Sequence, residues 1–165
     1  MIAAAPGVNA SAALRARLAD FYGAYDEALA EGAYERWPEF FTETCIYRIT
    51  SRENYELGLP IGLVTAESRA MLADRVAAMR KTMLYAPRIV RNLTAGIVLR
   101  AIEPDSMRLS ASFAVFQTLL NEPSAMFLCG RYYDRVVEDA GALRFSERIC
   151  VTDATLVLTS LIFPL

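Results

Sequence analysis

Apolar residues recur at steps of three and four before Pro87 and at steps of two after it. A period near 3.6 stacks side chains on one face of a helix, whereas a period of two lines one face of a strand. The chain therefore divides into a helical first part and a strand-rich second part. This is an α+β layout, in which the early helices cover one face of a later sheet. Turn-forming clusters at Glu103-Pro104-Asp105-Ser106, Asn121-Glu122-Pro123-Ser124 and Glu138-Asp139-Ala140-Gly141 divide the second part. They predict strands over 89–102 and 107–119, a third ending at Val137, and a fourth over 143–153. Connections this short join antiparallel neighbours.

Upstream, Leu14, Leu18, Phe21, Tyr22, Tyr25 and Leu29 predict a first helix capped by Ser11 and ending near Gly32. A short helical piece over 34–41, with Pro38 in a first turn, supplies Trp37, Phe40 and Phe41 to the core. Residues 45–50 read as a strand, and 52–63, with Gly58, Pro60 and Gly62, as an irregular loop. The row Met71, Leu72, Arg75, Val76 and Met79 predicts a second long helix over 65–82, with Arg80 and Lys81 at its favourable C-terminal end. Without a linker or repeat, residues 1–165 read as a single domain whose first ten or so residues are loose.

Composition narrows the function. The chain has no histidine, which removes the usual general base near neutral pH and the commonest transition-metal ligand. Cys45, Cys129 and Cys150 lie far apart in apolar stretches and read as buried free thiols of a reducing cytosol. A net charge of -2 gives no support to a nucleic-acid or anionic-membrane partner. The N-terminal run lacks a basic leader, and no stretch approaches the roughly 18 apolar residues of a membrane span, so the sequence points to a soluble cytoplasmic protein. Lys81 is the only lysine among 17 basic residues. Arg is enriched at protein interfaces where Lys is depleted, although a GC-rich genome would give the same bias. Hydrophobic residues make up 55% of the chain, above the ~45–50% of ordinary soluble domains, and the excess points to surfaces covered by other subunits.

Two carboxylates fall on apolar rows. Asp134 alternates with Leu128, Gly130, Tyr132 and Val136, and Glu147 with Leu143, Phe145, Ile149 and Val151. A carboxyl group in an apolar pocket has a raised pKa, so Asp134 or Glu147, with Tyr132, could serve as acid or base without histidine. Alternatively each meets one of the arginines, because buried charges are normally paired. The cluster Gly58-Leu59-Pro60-Ile61-Gly62 lacks the Lys-Ser/Thr of a phosphate loop and reads as a turn cluster. Neither a Rieske centre nor a two-His-one-carboxylate iron site can be built from a chain without histidine. Arg52, Glu53 and Asn54, followed by a Gly/Pro-punctuated loop, are candidates for a subunit interface. Arg75 on its apolar helical row and Arg91 are further candidates, with intrachain pairing as the competing explanation.

Several collinear segments carry a resemblance. They are Trp37-Pro38-Glu39-Phe40-Phe41-Thr42-Glu43-Thr44-Cys45-Ile46-Tyr47-Arg48, Arg52-Glu53-Asn54 with Gly58-Leu59-Pro60, and Glu67-Ser68-Arg69-Ala70-Met71-Leu72-Ala73-Asp74-Arg75-Val76. Gly130-Arg131-Tyr132-Tyr133-Asp134 and the ending Phe163-Pro164-Leu165 complete the set. From about Leu14 onward the chain resembles the small, or beta, subunit of aromatic-ring-hydroxylating dioxygenases, in the branch acting on aromatic carboxylates such as terephthalate, salicylate or anthranilate. The family often has Arg-His where this chain has Arg91-Asn92.

The resemblance implies a cone of the nuclear-transport-factor-2 type, with helices on a curved, mainly antiparallel sheet. It implies a structural beta subunit without catalytic residues or cofactors, trimeric beneath three large alpha subunits in an alpha3beta3 assembly. The large subunits would hold the Rieske [2Fe-2S] cluster and the mononuclear iron, with electrons from NAD(P)H delivered by a separate reductase. The competing expectation is an autonomous isomerase, dehydratase or cyclase of the same cone fold, using Asp134 or Glu147 with Tyr132. A binding-only cone protein is the third.

Overall fold

Helix α1 (Ala12–Ala30) begins where the Ser11 hydroxyl accepts from the Leu14 N–H at 3.1 Å, and Gly32, at a φ of 69°, lets the chain turn away after it. These features come from a computed structural model that describes residues 10–81, 85–155 and 161–165. The expected loose segment before Ala10 and the end of the second long helix at Thr82 lie outside the described residues. Leu18, Tyr22, Tyr25, Ala28 and Leu29 form the buried stripe of α1. A 3-10 helix over Tyr34–Phe40 follows and buries Trp37 completely.

Strand β1 (Phe41–Ser51) leads into α2 (Arg52–Glu56), a single helical turn in the segment expected to be irregular. The Ser51 hydroxyl caps it by accepting from the Asn54 N–H at 3.2 Å. Residues 65–68, expected to be helical, belong instead to β2 (Val64–Ser68), and α3 (Arg69–Lys81) starts only at Arg69. Thr65 to Ser68 pair with β1, so a non-local ladder overrides what spacing suggests. α3 buries Leu72, Val76 and Met79.

The remaining strands are β3 (Arg88–Ile102), β4 (Met107–Leu119), β5 (Ala125–Asp139) and β6 (Ala142–Thr152), each within a few residues of expectation. They form an antiparallel meander inside a six-stranded sheet of order β2-β1-β6-β5-β4-β3. One pairing departs from antiparallel: β1 runs parallel to β6, with Ile49 opposite Cys150. The buried side chains of α1, α3 and one sheet face make one contiguous cluster, rich in rings. Phe145 is central to it, with ring centroids 4.6 Å from Phe21, 5.4 Å from Phe41 and 5.5 Å from Tyr25. At Gly130 a Cβ would collide with the Val151 carbonyl oxygen and the Phe113 ring, so the close approach of β5 and β6 there requires glycine.

A bulge in β6 decides which side chains face this core. Val136 lies opposite Phe145, but Arg135 lies opposite Glu147, so Ser146 is the extra residue. Alternation therefore changes phase after Phe145. Arg148 and Cys150 turn inward and Glu147 turns outward, the reverse of what strict alternation from Leu143 predicts.

Candidate functional site

Asp134 is buried on the β5 row, as its position between Tyr132 and Val136 requires. Arg148, brought opposite it by the β6 register, is fully buried and donates from Nε and Nη2 to the two carboxylate oxygens, each at 3.1 Å. From the helix side, the Tyr22 hydroxyl donates to Asp134 Oδ2 at 2.5 Å. Rings enclose the guanidinium: its carbon lies 4.0 Å from the Tyr132 centroid, 4.1 Å from Phe145, 4.2 Å from Tyr25 and 5.2 Å from Tyr22. Such faces attract a desolvated cation. The competing explanation for Asp134, pairing with an arginine, is the one the structure shows.

Burial raises the Asp134 carboxyl above its ordinary range, and Arg148 opposes that shift. Burial also pulls on the Arg148 guanidinium, and Asp134 holds it charged. Tyr22, Tyr47 and Tyr132 are all pushed well above the ordinary phenol value, with burial the largest cause in each. Asp134 thus accepts three hydrogen bonds in a sealed interior and cannot take a proton from a substrate without breaking them. Tyr132, stacked on Phe113 at 4.5 Å, is equally enclosed. Among the described residues, Tyr132, Asp134 and Arg148 are packed together without solvent contact.

Glu147, expected on the apolar face, lies on the opposite side of the sheet with its side chain 36% exposed. Arg135 is its nearest cation at 3.9 Å. Arg135 also meets Glu103 at 2.5 Å, and Arg108 reaches the other Glu103 oxygen at 2.7 Å. Glu147, Arg135 and Arg108, with the Tyr55 ring stacked on Tyr133 at 4.6 Å, border an open cleft of about 250 Å³. The Asp134 and Glu147 side chains therefore lie on opposite faces of the sheet. Sequence alternation missed Arg148, and the only hint was that its row continues through Cys150 and Thr152, residues suited to burial.

The remaining candidates are dispersed. Arg52 pairs with Asp153, both exposed, and Glu53 and Asn54 follow it on α2. Arg75 donates to the Leu161 carbonyl at 2.7 Å and fastens the C-terminal segment across α3. Arg91 donates to the Ala30 carbonyl at 2.8 Å, at the end of α1. Among the described residues, no group of three or more His, Cys, Asp or Glu could hold a metal ion, and no helix is long and apolar enough to cross a membrane.

A solved structure described as the beta subunit of an aromatic-ring-hydroxylating dioxygenase from Novosphingobium aromaticivorans superposes with a TM-score of 0.82. It is 33% identical, over 92% of this chain and 95% of that one. The anthranilate 1,2-dioxygenase small subunit of Burkholderia cepacia is 37% identical over 131 residues, 79% of this chain and 81% of its own length. This chain belongs to the beta subunits of aromatic-ring-hydroxylating dioxygenases. A second curated beta subunit, beta 1 of the Comamonas terephthalate 1,2-dioxygenase terminal oxygenase component, is 33% identical over 90% of this chain and 97% of its own. A scytalone dehydratase fold from Novosphingobium aromaticivorans, at 16% identity and a TM-score of 0.68, places the beta subunit in the same cone architecture. No family model matches the chain. A beta subunit of a multicomponent oxygenase has a non-catalytic role, consistent with a core whose acid is locked to an arginine.

Proposed function

We propose that this beta subunit is the scaffold of a terminal oxygenase whose substrate is an aromatic carboxylate such as terephthalate or salicylate. The observation that carries the proposal is the 37% and 33% identity to subunits of anthranilate and terephthalate dioxygenases, both named for aromatic acids. The partner is a large alpha subunit, and it holds the Rieske cluster and the mononuclear iron. Histidine is required at both centres and is absent from the beta chain, so the metals need the other polypeptide. Three copies of each chain form an alpha3beta3 oxygenase in the cytoplasm, with residues 1–165 acting as one domain. Arg52, Glu53, Asn54 and Arg91, all at the surface or near it, contribute to contacts with neighbouring subunits, and Arg75 supports them through the segment it fastens.

Co-production with a large oxygenase subunit from the same source, followed by mass measurement and oxygen-uptake assays, tests this. The expected result is a complex of three copies of each chain that consumes oxygen with aromatic carboxylates, while the beta chain alone consumes none. A large subunit that assembles and turns over fully without this chain would overturn the scaffold role. Uptake with neutral hydrocarbons but not with carboxylates would overturn the substrate class.

A further inference from the structure

Two strand irregularities aim charged side chains at one place. In β3, Leu99 pairs with Leu109 and Ala101 with Arg108, so Arg100 is the extra residue of a bulge. In β6, the bulge at Ser146 turns Glu147 to the face of the sheet away from the core. Both side chains line the open cleft of about 250 Å³, together with Arg108 of β4, Arg135 of β5 and the stacked rings of Tyr55 and Tyr133. Bulges that re-aim side chains are frequent beside functional sites.

The charges at this cleft do not cancel. Arg108 and Arg135 share the single carboxylate of Glu103, and Glu147 lies 3.9 Å from Arg135. Arg100 is in no ion pair among the described residues. Three guanidinium groups therefore meet two carboxylates, a local positive excess on a chain whose net charge is -2. Arg100 is also held in place, because its Nε donates to the buried Ser110 hydroxyl at 2.8 Å. Its terminal nitrogens are left to bind an acceptor, and a guanidinium fork matches a carboxylate best. Tyr55 and Tyr133, stacked with 12° between their planes, add a flat apolar wall. The volume lies just below the ~300 Å³ at which pockets for drug-sized ligands begin, which leaves room for one ring.

We propose that this cleft binds a small aromatic carboxylate, with Arg100 taking the carboxylate and the Tyr55–Tyr133 wall the ring. The preference for a ring-bearing acid over other flat anions rests on the substrate class proposed above. Titration of the full chain with benzoate, followed by calorimetry and NMR, tests it. One benzoate per chain is expected, with a Kd of about 0.1–1 mM, as suits so small a ligand in an open site. Acetate and inorganic phosphate carry charge without a ring, and benzamide a ring without charge. Each is expected to bind at least about fivefold more weakly. Arg100→Gln and Tyr55→Ala, checked for folding by thermal melting, are each expected to weaken benzoate about threefold or more.

Benzoate that does not bind, phosphate or benzamide that binds as tightly, or folded variants with wild-type affinity overturn the proposal. In the complex with the large subunit, Arg100→Gln is expected to lower benzoate occupancy. Unchanged occupancy there overturns the proposal and assigns this face to subunit packing. Binding by the chain while the complex consumes no oxygen with aromatic carboxylates supports the cleft and overturns only the substrate class. Oxygen uptake without binding by the chain overturns the cleft alone.

Discussion

Asp134→Asn removes one negative charge while keeping the shape of the side chain, and it isolates the energetics of the buried core. In the wild type, the fully buried Arg148 guanidinium is matched by a bidentate carboxylate at 3.1 Å on both contacts. The substitution leaves the cation in place with no anion. Stranding one member of a buried pair costs about 3–5 kcal/mol. The four rings around Arg148 are present with either residue at 134, so they offset none of the loss. For a chain of this length, a melting temperature lower by roughly 6–20 °C follows.

Urea unfolding at fixed protein concentration, with the slope checked for constancy, gives the free-energy loss directly. Arg148→Met strands the carboxylate instead and is expected to lose a similar amount. The double variant, with neither charge, is expected to lose less than the two single losses combined by at least about 1–2 kcal/mol. A loss under about 1 kcal/mol for Asp134→Asn, or strict additivity in the double variant, would refute the pairing argument.

Gly130→Ala is expected to lose more stability than other glycine replacements, because its Cβ meets the Val151 backbone rather than a movable side chain; a native-like melting temperature contradicts this. The Ser106 hydrogen bond, with Arg135 and Arg108, holds the Glu103 carboxyl below its ordinary 4.5. Its stabilisation is therefore present above pH 4.5 and lost as pH falls through the lower folded-state value. Glu103→Gln is expected to flatten that part of the melting-versus-pH curve, and an unchanged curve counts against the contact. Burial pushes the Cys45 thiol up to about 11 and Cys150 up to about 12, so neither is expected to alkylate at mildly alkaline pH until the chain unfolds. Peptide mass spectrometry showing native labelling at Cys150 would disprove its burial.

Local spacing was sufficient where structure depends on near neighbours. The stripe of α1, its Ser11 cap and the β3–β6 meander are all legible because their partners lie within a turn or a hairpin. Asp134 is legible for the same reason, since β5 alternates without interruption from Leu128 to Val136. Glu147 is not, because a bulge at Ser146 shifts the phase and nothing in Ser146 itself announces it. Thr65 to Ser68 read as helix because their strand pairing is to β1, which only the assembled sheet supplies. The one-turn α2 is too short for periodicity to reveal, although Ser51 provides its cap. The ion-paired core is likewise invisible in either strand alone, since Asp134 and Arg148 become partners only through the β5–β6 register.

The parallel β1–β6 ladder sets a schedule for folding. Ile49 and Cys150 are paired across about a hundred intervening residues, whereas every link in the β3–β6 meander closes a short hairpin. Loop-closure entropy delays the first kind of contact and favours the second. The meander can therefore form early while β1, with the 3-10 helix and its Trp37, waits for a completed β6. During that interval an aromatic-rich surface is open to solvent, and the waiting state is the one most prone to aggregate. Conditions or partner chains that shorten that interval are expected to raise the soluble yield of this chain.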